Sequence, residues 1–294
     1  MQQVQKSKLD FPDLIQLLTL KRMESQWMQN MGENLQVIRK GHDISEIPKQ
    51  DKPAIIIGAG PSVKHEKLSL LRKWTGVVVC CDRMLVPLLK KRVVPHFVTS
   101  VDGSPKIAEF YRDALVQKHV HEIKCVLSVQ TTHPDVVKAL PNDSMFWFTS
   151  IWDNPFNQMS VTRIFHHLSN KTMMSSLGNT GAAAWELSRY LHCNPIGLLG
   201  IDFAYESLDF SKSTYFETFK ILSGGDVQRF LKNYRFATTW AKKKVLTDLM
   251  FLTYYKILVP QLACAKVKTF NLGKYSILPA DKAEPLSFKK FIKS

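Results

Sequence analysis

The stretch Ile55-Ile56-Ile57-Gly58-Ala59-Gly60-Pro61-Ser62 decides the fold class of this chain. Three consecutive isoleucines are typical of a parallel strand that is buried on both faces. The strand runs into a glycine turn, and Pro61 and Ser62 are residues that commonly begin a helix. Such a junction places backbone N–H groups at the positive end of a helix, where phosphate binds. The turn therefore predicts a nucleotide site formed by Gly58, Ala59, Gly60, Pro61 and Ser62. The alternative is a tight turn in which the glycines only relieve strain.

Strands and helices alternate through the middle of the sequence. Apolar runs predict strands, and the segments between them predict helices joined by short loops, among them a helix around His65–Lys73 and one at Leu85–Arg92. The predicted strands are Ile55–Ile57, Val77–Cys81, Phe97–Val101, Lys124–Val129, Phe146–Phe148, Ile196–Leu199 and Lys266–Phe270. This alternation predicts an α/β, Rossmann-like fold with a mainly parallel, doubly wound sheet. Ligands bind beyond the carboxyl ends of the strands in such sheets.

Changes in composition divide the chain into three segments. Residues 1–50 have helical apolar spacing and predict a helical N-terminal extension. Residues 51–280 are expected to form the nucleotide-binding domain, and residues 281–294 a basic C-terminal tail. Within the domain, residues 203–245 are polar and aromatic and contain the flexible Ser223-Gly224-Gly225, which predicts a lid or substrate loop.

Charge and cysteine content limit the partners and the compartment. The 40 Lys and Arg residues exceed the 25 acidic residues, which gives a formal net charge of +15. Because the excess is spread over short pairs and triplets, it predicts mainly solvated basic faces. The alternative is attraction to phosphorylated substrates or to an anionic membrane surface. The sequence contains no RNP, zinc-finger or homeodomain motif, so a specific nucleic-acid site is not expected. Five cysteines without a CxxC pair, together with no apolar signal-peptide core, predict reduced thiols in a cytoplasmic protein.

Polar residues follow several of the predicted strands. Asp82, Asp102 and Asp202 each come directly after a strand, where carboxylates can hold Mg²⁺ or ribose hydroxyls. The alternative is that such an Asp caps the next helix. A second glycine loop, formed by Gly178, Asn179, Thr180 and Gly181, is expected to hydrogen-bond a base, a sugar or a phosphate. Its alternative is simple helix capping with close packing of small residues.

Missing motifs exclude several enzyme classes. The chain has no GxxxxGK[ST] motif, which excludes a P-loop enzyme. GxSxG and HExxH are also missing. In the first glycine loop Val63 stands where the last glycine of GxGxxG belongs, which argues against a NAD enzyme.

Four segments, taken in order, resemble a known family. They are Lys52–Ser62, Cys81–Asp102, Gly178–Gly181 and Leu199–Tyr205. They are similar to the MptE-like domain, which is shared by archaeal 6-hydroxymethylpterin diphosphokinases and the bacterial motility accessory factors (Maf) that glycosylate flagellin. The resemblance extends over roughly residues 50 to 275 and implies a Rossmann-like nucleotide-binding domain.

The chain departs from the patterns of its relatives at three places. The first loop is also similar to that of bacterial lipooligosaccharide sialyltransferases, which use CMP-sialic acid, but their loop asparagine is Ala59 here. Relatives often have a Thr-His pair after the G-x-D turn, where this chain has Thr214-Tyr215; Tyr215 is therefore a candidate catalytic residue. The archaeal pterin enzymes have D-L-D-G where this chain has Ser100-Val101-Asp102-Gly103, so one of the two acids is missing.

The resemblance implies a nucleotide-dependent transferase, with a CMP-linked nonulosonic (sialic-type) sugar as the leading donor. The amides of Gly58–Ser62 and the loop Asn179–Gly181 would hold the nucleotide. Asp102 and Asp202 would bind sugar hydroxyls or position the acceptor. The alternative is diphosphoryl transfer from ATP to a pterin alcohol, with Asp82 and Asp102 on Mg²⁺. A third hypothesis is a nucleotide-binding scaffold without catalysis.

Overall fold

A long, mainly parallel sheet forms the centre of the protein. The structure is a computed structural model that describes residues 11–293, with side chains described at residue 23 and from residue 25 onward. In that range the strands are β1 (His42–Asp43), β2 (Ala54–Ile57), β3 (Val77–Cys81), β4 (Phe97–Ser100), β5 (Lys124–Ser128), β6 (Met145–Ser150), β7 (Met173–Met174), β8 (Ile196–Leu199), β9 (Tyr234–Thr238), β10 (Lys244–Asp248), β11 (Thr269–Asn271) and β12 (Glu284–Pro285). The sheet has the order β1-β6-β5-β4-β3-β2-β8-β11-β12, with β7 paired to β6, and its pairings are parallel. The predicted α/β fold with a doubly wound parallel sheet is confirmed.

Helices cover both faces of the sheet. They are α1 (Phe11–Lys40), α2 (Asp82–Lys90), α3 (Ile107–Arg112), α4 (Ala114–His119), α5 (Pro134–Lys138), α6 (Val161–Ser169), α7 (Thr180–Tyr190), α8 (Phe216–Ser223), α9 (Val227–Leu231), α10 (Leu249–Cys264) and α11 (Phe288–Phe291). None of these described helices has the length and apolar character needed to cross a membrane.

Strand β2 shows why a run of isoleucines is required at this point. Ile55 and Ile57 are buried in the core that includes residues of α1 and α2, while Ala54 and Ile56 are buried in the core that includes α7 and α10. Successive side chains of a strand point to opposite faces, so a strand covered on both sides needs apolar residues at every position.

Two predicted helices differ from the observed structure. The segment predicted as a helix around His65–Lys73 forms two 3₁₀ turns, Pro61–His65 and Leu68–Lys73. The helix predicted at Leu85–Arg92 begins earlier, at Asp82, because the extended backbone of β3 ends at Cys81. Asp82 therefore lies in the first turn of α2 rather than in a loop.

The two ends of the chain contribute to the sheet. Of the predicted helical extension 1–50, residues 1–10 lie outside the described residues, α1 covers much of the rest, and β1 pairs with β6. Of the predicted basic tail 281–294, β12 pairs with β11 and Phe288 is buried, while Ser294 lies outside the described residues. The domain bounds themselves remain predictions.

Residues 203–245, predicted as a lid or loop, form a small folded unit with β10. It consists of α8, α9 and the antiparallel pair β9–β10, with Phe219, Tyr234 and Leu246 in an apolar cluster of its own. Within the unit, the Tyr205 hydroxyl donates to Asp248 Oδ2 at 2.7 Å, and Asp248 both ends β10 and is the N-cap of α10. Because residue 203 follows closely on the end of β8 at Leu199, the unit begins at the carboxyl edge of the sheet.

Candidate functional site

A cavity of about 1470 Å³ lies along the carboxyl edge of the sheet. The chain order of the strands reverses between β2 and β8, because β3 to β6 follow on one side and β11 and β12 on the other. Such a switch point opens a crevice between the loops that leave the two strands, and ligands of doubly wound sheets bind there. Residues of both glycine loops, the three predicted aspartates and the 203–245 unit all line this cavity.

The Gly58–Ser62 turn is held tightly to the turn after β8. The amides of Gly58 and Gly60 donate to the carbonyl oxygens of Leu199 and Gly200 at 2.8 and 2.9 Å. A Cβ at Gly60 would lie 2.5 Å from Asp202 Oδ2 and 2.7 Å from the Gly200 oxygen, so it would meet protein and not a ligand. Gly200 itself has a φ of +75°, which favours glycine.

The carboxylate of Asp202 holds the Gly58–Ser62 turn in place through hydrogen bonds. Its Oδ2 accepts from the Ser62 amide and its Oδ1 from the Ser62 hydroxyl, both at 2.8 Å. The Ser62 oxygen also accepts from the amide of Tyr275 at 3.0 Å. Burial raises the pKa of Asp202 to about 6, although the hydrogen bonds from Ser62 lower it. Asp202 is a buried clamp between loops in this arrangement.

These bonds decide which amides of the predicted phosphate loop can meet a ligand. The amides of Gly58, Gly60 and Ser62 already donate within the protein, and Pro61 has no N–H. Among the five described residues of this loop, Ala59 is exposed and contributes the remaining amide. Much of the turn is therefore structural, as the alternative interpretation of its glycines anticipated.

The second glycine loop opens helix α7 and also lines the cavity. Asn179 is the N-cap, and its Oδ1 accepts from the Ala182 amide at 3.0 Å. A Cβ at Gly181 would collide with Ile201, so the small residue permits close packing of α7 on the sheet. Asn179 thus caps the helix and Gly181 permits close packing, which is the alternative given above for this loop. The first-turn amides of Thr180 and Gly181 have no acceptor within the helix, and these residues line the cavity.

Asp82 lies at the floor of the cavity and is buried. The hydroxyl of Tyr111 donates to its Oδ1 at 2.6 Å. Burial raises the pKa of Asp82 to about 7, against the effect of the Tyr111 hydrogen bond, and the charge of Asp102 adds to the rise. A carboxyl group in this environment is a weak hydrogen-bonded acid at neutral pH and does not cap α2.

Asp102 and Tyr215 stand at more open places of the wall. Asp102 is exposed, and its Oδ1 accepts from the Ser104 amide at 2.9 Å. Tyr215 is partly buried between the 203–245 unit and α10, where it is hydrogen-bonded to Tyr254. Burial raises the pKa of Tyr215 further above its usual range. A protonated hydroxyl at this position can donate a hydrogen bond but cannot serve as a base.

The residues proposed for Mg²⁺ do not fit that ion in this arrangement. One oxygen of Asp82 is occupied by Tyr111, and burial favours its protonated form, whereas a metal ligand must be ionised. Across the residues that the structure describes, no group of three or more His, Cys, Asp or Glu side chains could hold a metal ion. A Mg²⁺ site at Asp82 and Asp102 remains a sequence-based expectation.

Known proteins resemble this chain in both sequence and fold. The sequence profile described as 6-hydroxymethylpterin diphosphokinase MptE-like matches residues 25–207, which is more than half of the chain. The chain belongs to the MptE-like family. The resemblance drawn from the four sequence segments is thereby confirmed, and the matched range includes both glycine loops and the Gly200-Ile201-Asp202 turn. No curated protein matches the chain.

A solved structure has the same fold as this MptE-like chain. The Maf glycosyltransferase from Magnetospirillum magneticum AMB-1 superposes with a TM-score of 0.64 at 13% sequence identity. The match covers 90% of this chain and 38% of that protein, so the chain spans about two fifths of the length of its structural neighbour. At this identity the likeness establishes the fold.

Sequence reasoning missed several side chains that line the cavity of this family member. Trp27 on α1 and Trp152 after β6 form a ring pair with centroids 4.7 Å apart. Lys64, Arg83 and Lys212 bring positive charge to the wall. Trp152 lies directly beyond the carboxyl end of β6, but the strand predicted at Phe146–Phe148 stopped too early to place it there. Nothing in the helical spacing of α1 distinguishes Trp27 from a core residue.

Proposed function

We propose that the protein is a nucleotide-dependent transferase whose donor is a CMP-linked nonulosonic sugar. The observation that carries the proposal is the position of the cavity, between the β2 and β8 loops and the first turn of α7. Membership of the MptE-like family supports a nucleotide-related transferase. The Maf fold, spread over nine tenths of this chain, supports glycosyl transfer as the reaction.

The nucleotide phosphate is assigned to the start of α7. The amides of Thr180 and Gly181 lie at the positive end of an 11-residue helix, where they favour an anion. Arg83 and Lys64 add positive charge to the same cavity. The Ala59 amide, in the loop after β2, is assigned as a third backbone donor to the phosphate. Because Asp202 already binds Ser62, its role in this proposal is to position the loop rather than to contact the sugar.

Departure of the nucleotide is the step that these groups assist. As the bond between the sugar and the phosphate breaks, negative charge grows on the phosphate oxygens, and preoriented donors stabilise it. The Tyr215 hydroxyl stays protonated, and it supplies one further donor when it turns from Tyr254 to the phosphate. Asp102, exposed on the wall, is the carboxylate assigned to a hydroxyl of the acceptor or of the sugar.

Diphosphoryl transfer to a pterin alcohol is the alternative that the description of the family favours. That reaction needs Mg²⁺ on the transferred phosphates. Asp82 is buried and accepts a hydrogen bond from Tyr111, which makes it a poor ligand for Mg²⁺. This supports glycosyl transfer over diphosphoryl transfer.

A thermal-shift panel separates these candidates. The protein is heated with CMP, CMP-sialic acid, ATP or a 6-hydroxymethylpterin, each with and without Mg²⁺. We expect the melting temperature to rise with CMP and CMP-sialic acid, with or without the metal, because ligand binding to the native state raises stability. A rise that requires ATP and Mg²⁺ together would replace the proposal by the diphosphokinase. If ligands raise the melting temperature but a separate activity assay finds no turnover of any donor, the non-catalytic scaffold is favoured.

A further inference from the structure

Two groups of exposed apolar side chains border the mouth of the cavity. The loop between β6 and α6 carries Phe156 and Met159, which are 91% and 88% exposed; we call it the β6–α6 tip. The end of α8 and the start of α9 carry Ile221, Leu222 and Val227, which are 77%, 69% and 65% exposed; we call residues 221–227 the α8–α9 tip. Grouped apolar side chains at this exposure mark an interaction surface.

Both tips are continuous with the cavity wall. Trp152 lines the cavity four residues before Phe156. Leu222 lines the cavity and is itself exposed, so the α8–α9 tip reaches the mouth. The space around Gly224, at the turn of the α8–α9 tip, is open within 4 Å of where a Cβ would stand. This turn therefore projects from the protein rather than packing on it.

The backbone of the β6–α6 tip is held in place. The carboxylate of Asp153 accepts from the amides of Val161 and Thr162 at 2.8 and 3.1 Å, and from the Ser160 hydroxyl at 2.8 Å. These bonds tie the start of the loop to the start of α6. Phe156 and Met159 are thus presented by a fixed loop, and exposing them does not depend on a local opening of the fold.

Positive charge surrounds the apolar side chains. Lys220, Arg229 and Lys232 are exposed beside the α8–α9 tip, where they outnumber the exposed carboxylates of Glu217 and Asp226. At the β6–α6 tip, Arg163 donates from Nη1 to the Asn157 carbonyl of the loop at 3.5 Å. Apolar side chains within a basic surround suit an anionic bilayer, because the apolar groups enter the interface while Lys and Arg attract the headgroups.

We propose that the two tips dock the mouth of the cavity on an anionic bilayer, and that the acceptor is an amphiphile presented by that bilayer. The second statement rests on the proposed function. The aromatic wall formed by Trp27 and Trp152 begins beside the β6–α6 tip and offers an apolar path from the bilayer surface into the cavity. The net charge of +15 provides the long-range attraction to such a surface.

Vesicle flotation tests the docking. The full chain is mixed with phosphatidylcholine vesicles that contain or lack phosphatidylglycerol. The variants are Phe156→Ser with Met159→Ser for one tip, and Ile221→Ser with Val227→Ser for the other. Leu70→Ser, an exposed leucine before β3 and so at the opposite edge of the sheet, is the matched control.

Wild type should float with phosphatidylglycerol vesicles, with binding that falls as salt rises. Each double variant should bind about tenfold more weakly or worse, since it loses two apolar side chains that would enter the bilayer. The control should bind as wild type does. Wild type that stays unbound, or double variants that bind as tightly as wild type, would overturn the proposal. So would a dimer in size-exclusion chromatography that the tip substitutions dissociate, since the tips would then join two copies of the chain.

A calorimetric titration of CMP on the same proteins separates the two proposals. The tip variants should bind CMP as wild type does, because the substituted side chains do not line the cavity. If no protein binds CMP while wild type still binds vesicles, the proposed function fails and the docking surface stands.

Discussion

Replacement of the buried carboxyl of Asp82 should change how stability depends on pH. In the folded protein burial raises the pKa of Asp82 to about 7 from an ordinary value of 3.8. The folded state therefore holds the proton more tightly than the unfolded chain between these two values. It follows that the contribution of Asp82 is present below pH 4 and is lost as the pH rises to 7.

The size of the effect follows from the pKa difference. Each pH unit between 3.8 and 7 removes about 1.4 kcal/mol of stability, so full ionisation costs about 4 kcal/mol. Between pH 5 and pH 8 the wild type should lose about 3 kcal/mol from this group. Asp82→Asn keeps the acceptor for Tyr111 and abolishes the titration, so the variant should gain about 3 kcal/mol relative to wild type over the same range.

Urea unfolding at pH 5, 6, 7 and 8 measures this difference. Any constant cost of the Asn side chain cancels, because only the change with pH is compared. Glu217→Gln, at an exposed position of α8, is the matched control and should reproduce the wild-type curve. A difference between Asp82→Asn and wild type that stays constant from pH 5 to pH 8 would show that Asp82 is ionised in the folded protein, and would refute the reasoning.

Substitutions at three further residues test the site. Ser62→Ala leaves Asp202 Oδ1 and the Tyr275 amide without the Ser62 hydroxyl, while the amide of residue 62 still donates to Asp202 Oδ2. The variant should lose about 1–3 kcal/mol of unfolding free energy and bind CMP more weakly; denaturation and affinity unchanged from wild type would exclude the clamp. Tyr215→Phe should slow turnover of the donor and keep CMP affinity, whereas Tyr215→His should speed turnover; identical rates for all three proteins would remove Tyr215 from the catalytic site. Asp102→Asn should change ATP binding equally with and without Mg²⁺, and a loss seen only with the metal would favour the diphosphokinase.

The strands at the centre of the sheet could be predicted to within one or two residues. Each is a short apolar run buried on both faces, as Ile55–Ile57 and Val77–Cys81 show, and such runs leave no doubt about their interior position. Strand β9 could not be predicted in this way. Tyr234–Thr238 is largely exposed and is fixed by its pairing with β10, which is a tertiary contact with no local periodicity.

The sequence predicted which loops meet at the carboxyl edge of the sheet but not how their amides and carboxylates are hydrogen-bonded. The loops after β2 and β8 come together because both strands end at the same edge of a parallel sheet. The sequence could not predict that the amides of Gly58 and Gly60 donate to the neighbouring turn after β8, because these bonds depend on how closely the two turns approach. For the same reason Asp202 was expected to meet a sugar hydroxyl, whereas it binds Ser62.

A calorimetric titration of CMP tests the central claim, which is that nucleotide phosphate binds at the first turn of α7. Thr180→Glu places a carboxylate at that turn, where it suits the helix but competes with phosphate. Thr238→Glu makes the same change at an exposed residue of β9. Wild type and Thr238→Glu should bind CMP equally, and Thr180→Glu should bind at least about tenfold more weakly, given the charge repulsion at short range. Equal affinity for all three proteins, or no binding of CMP by wild type, would contradict the account.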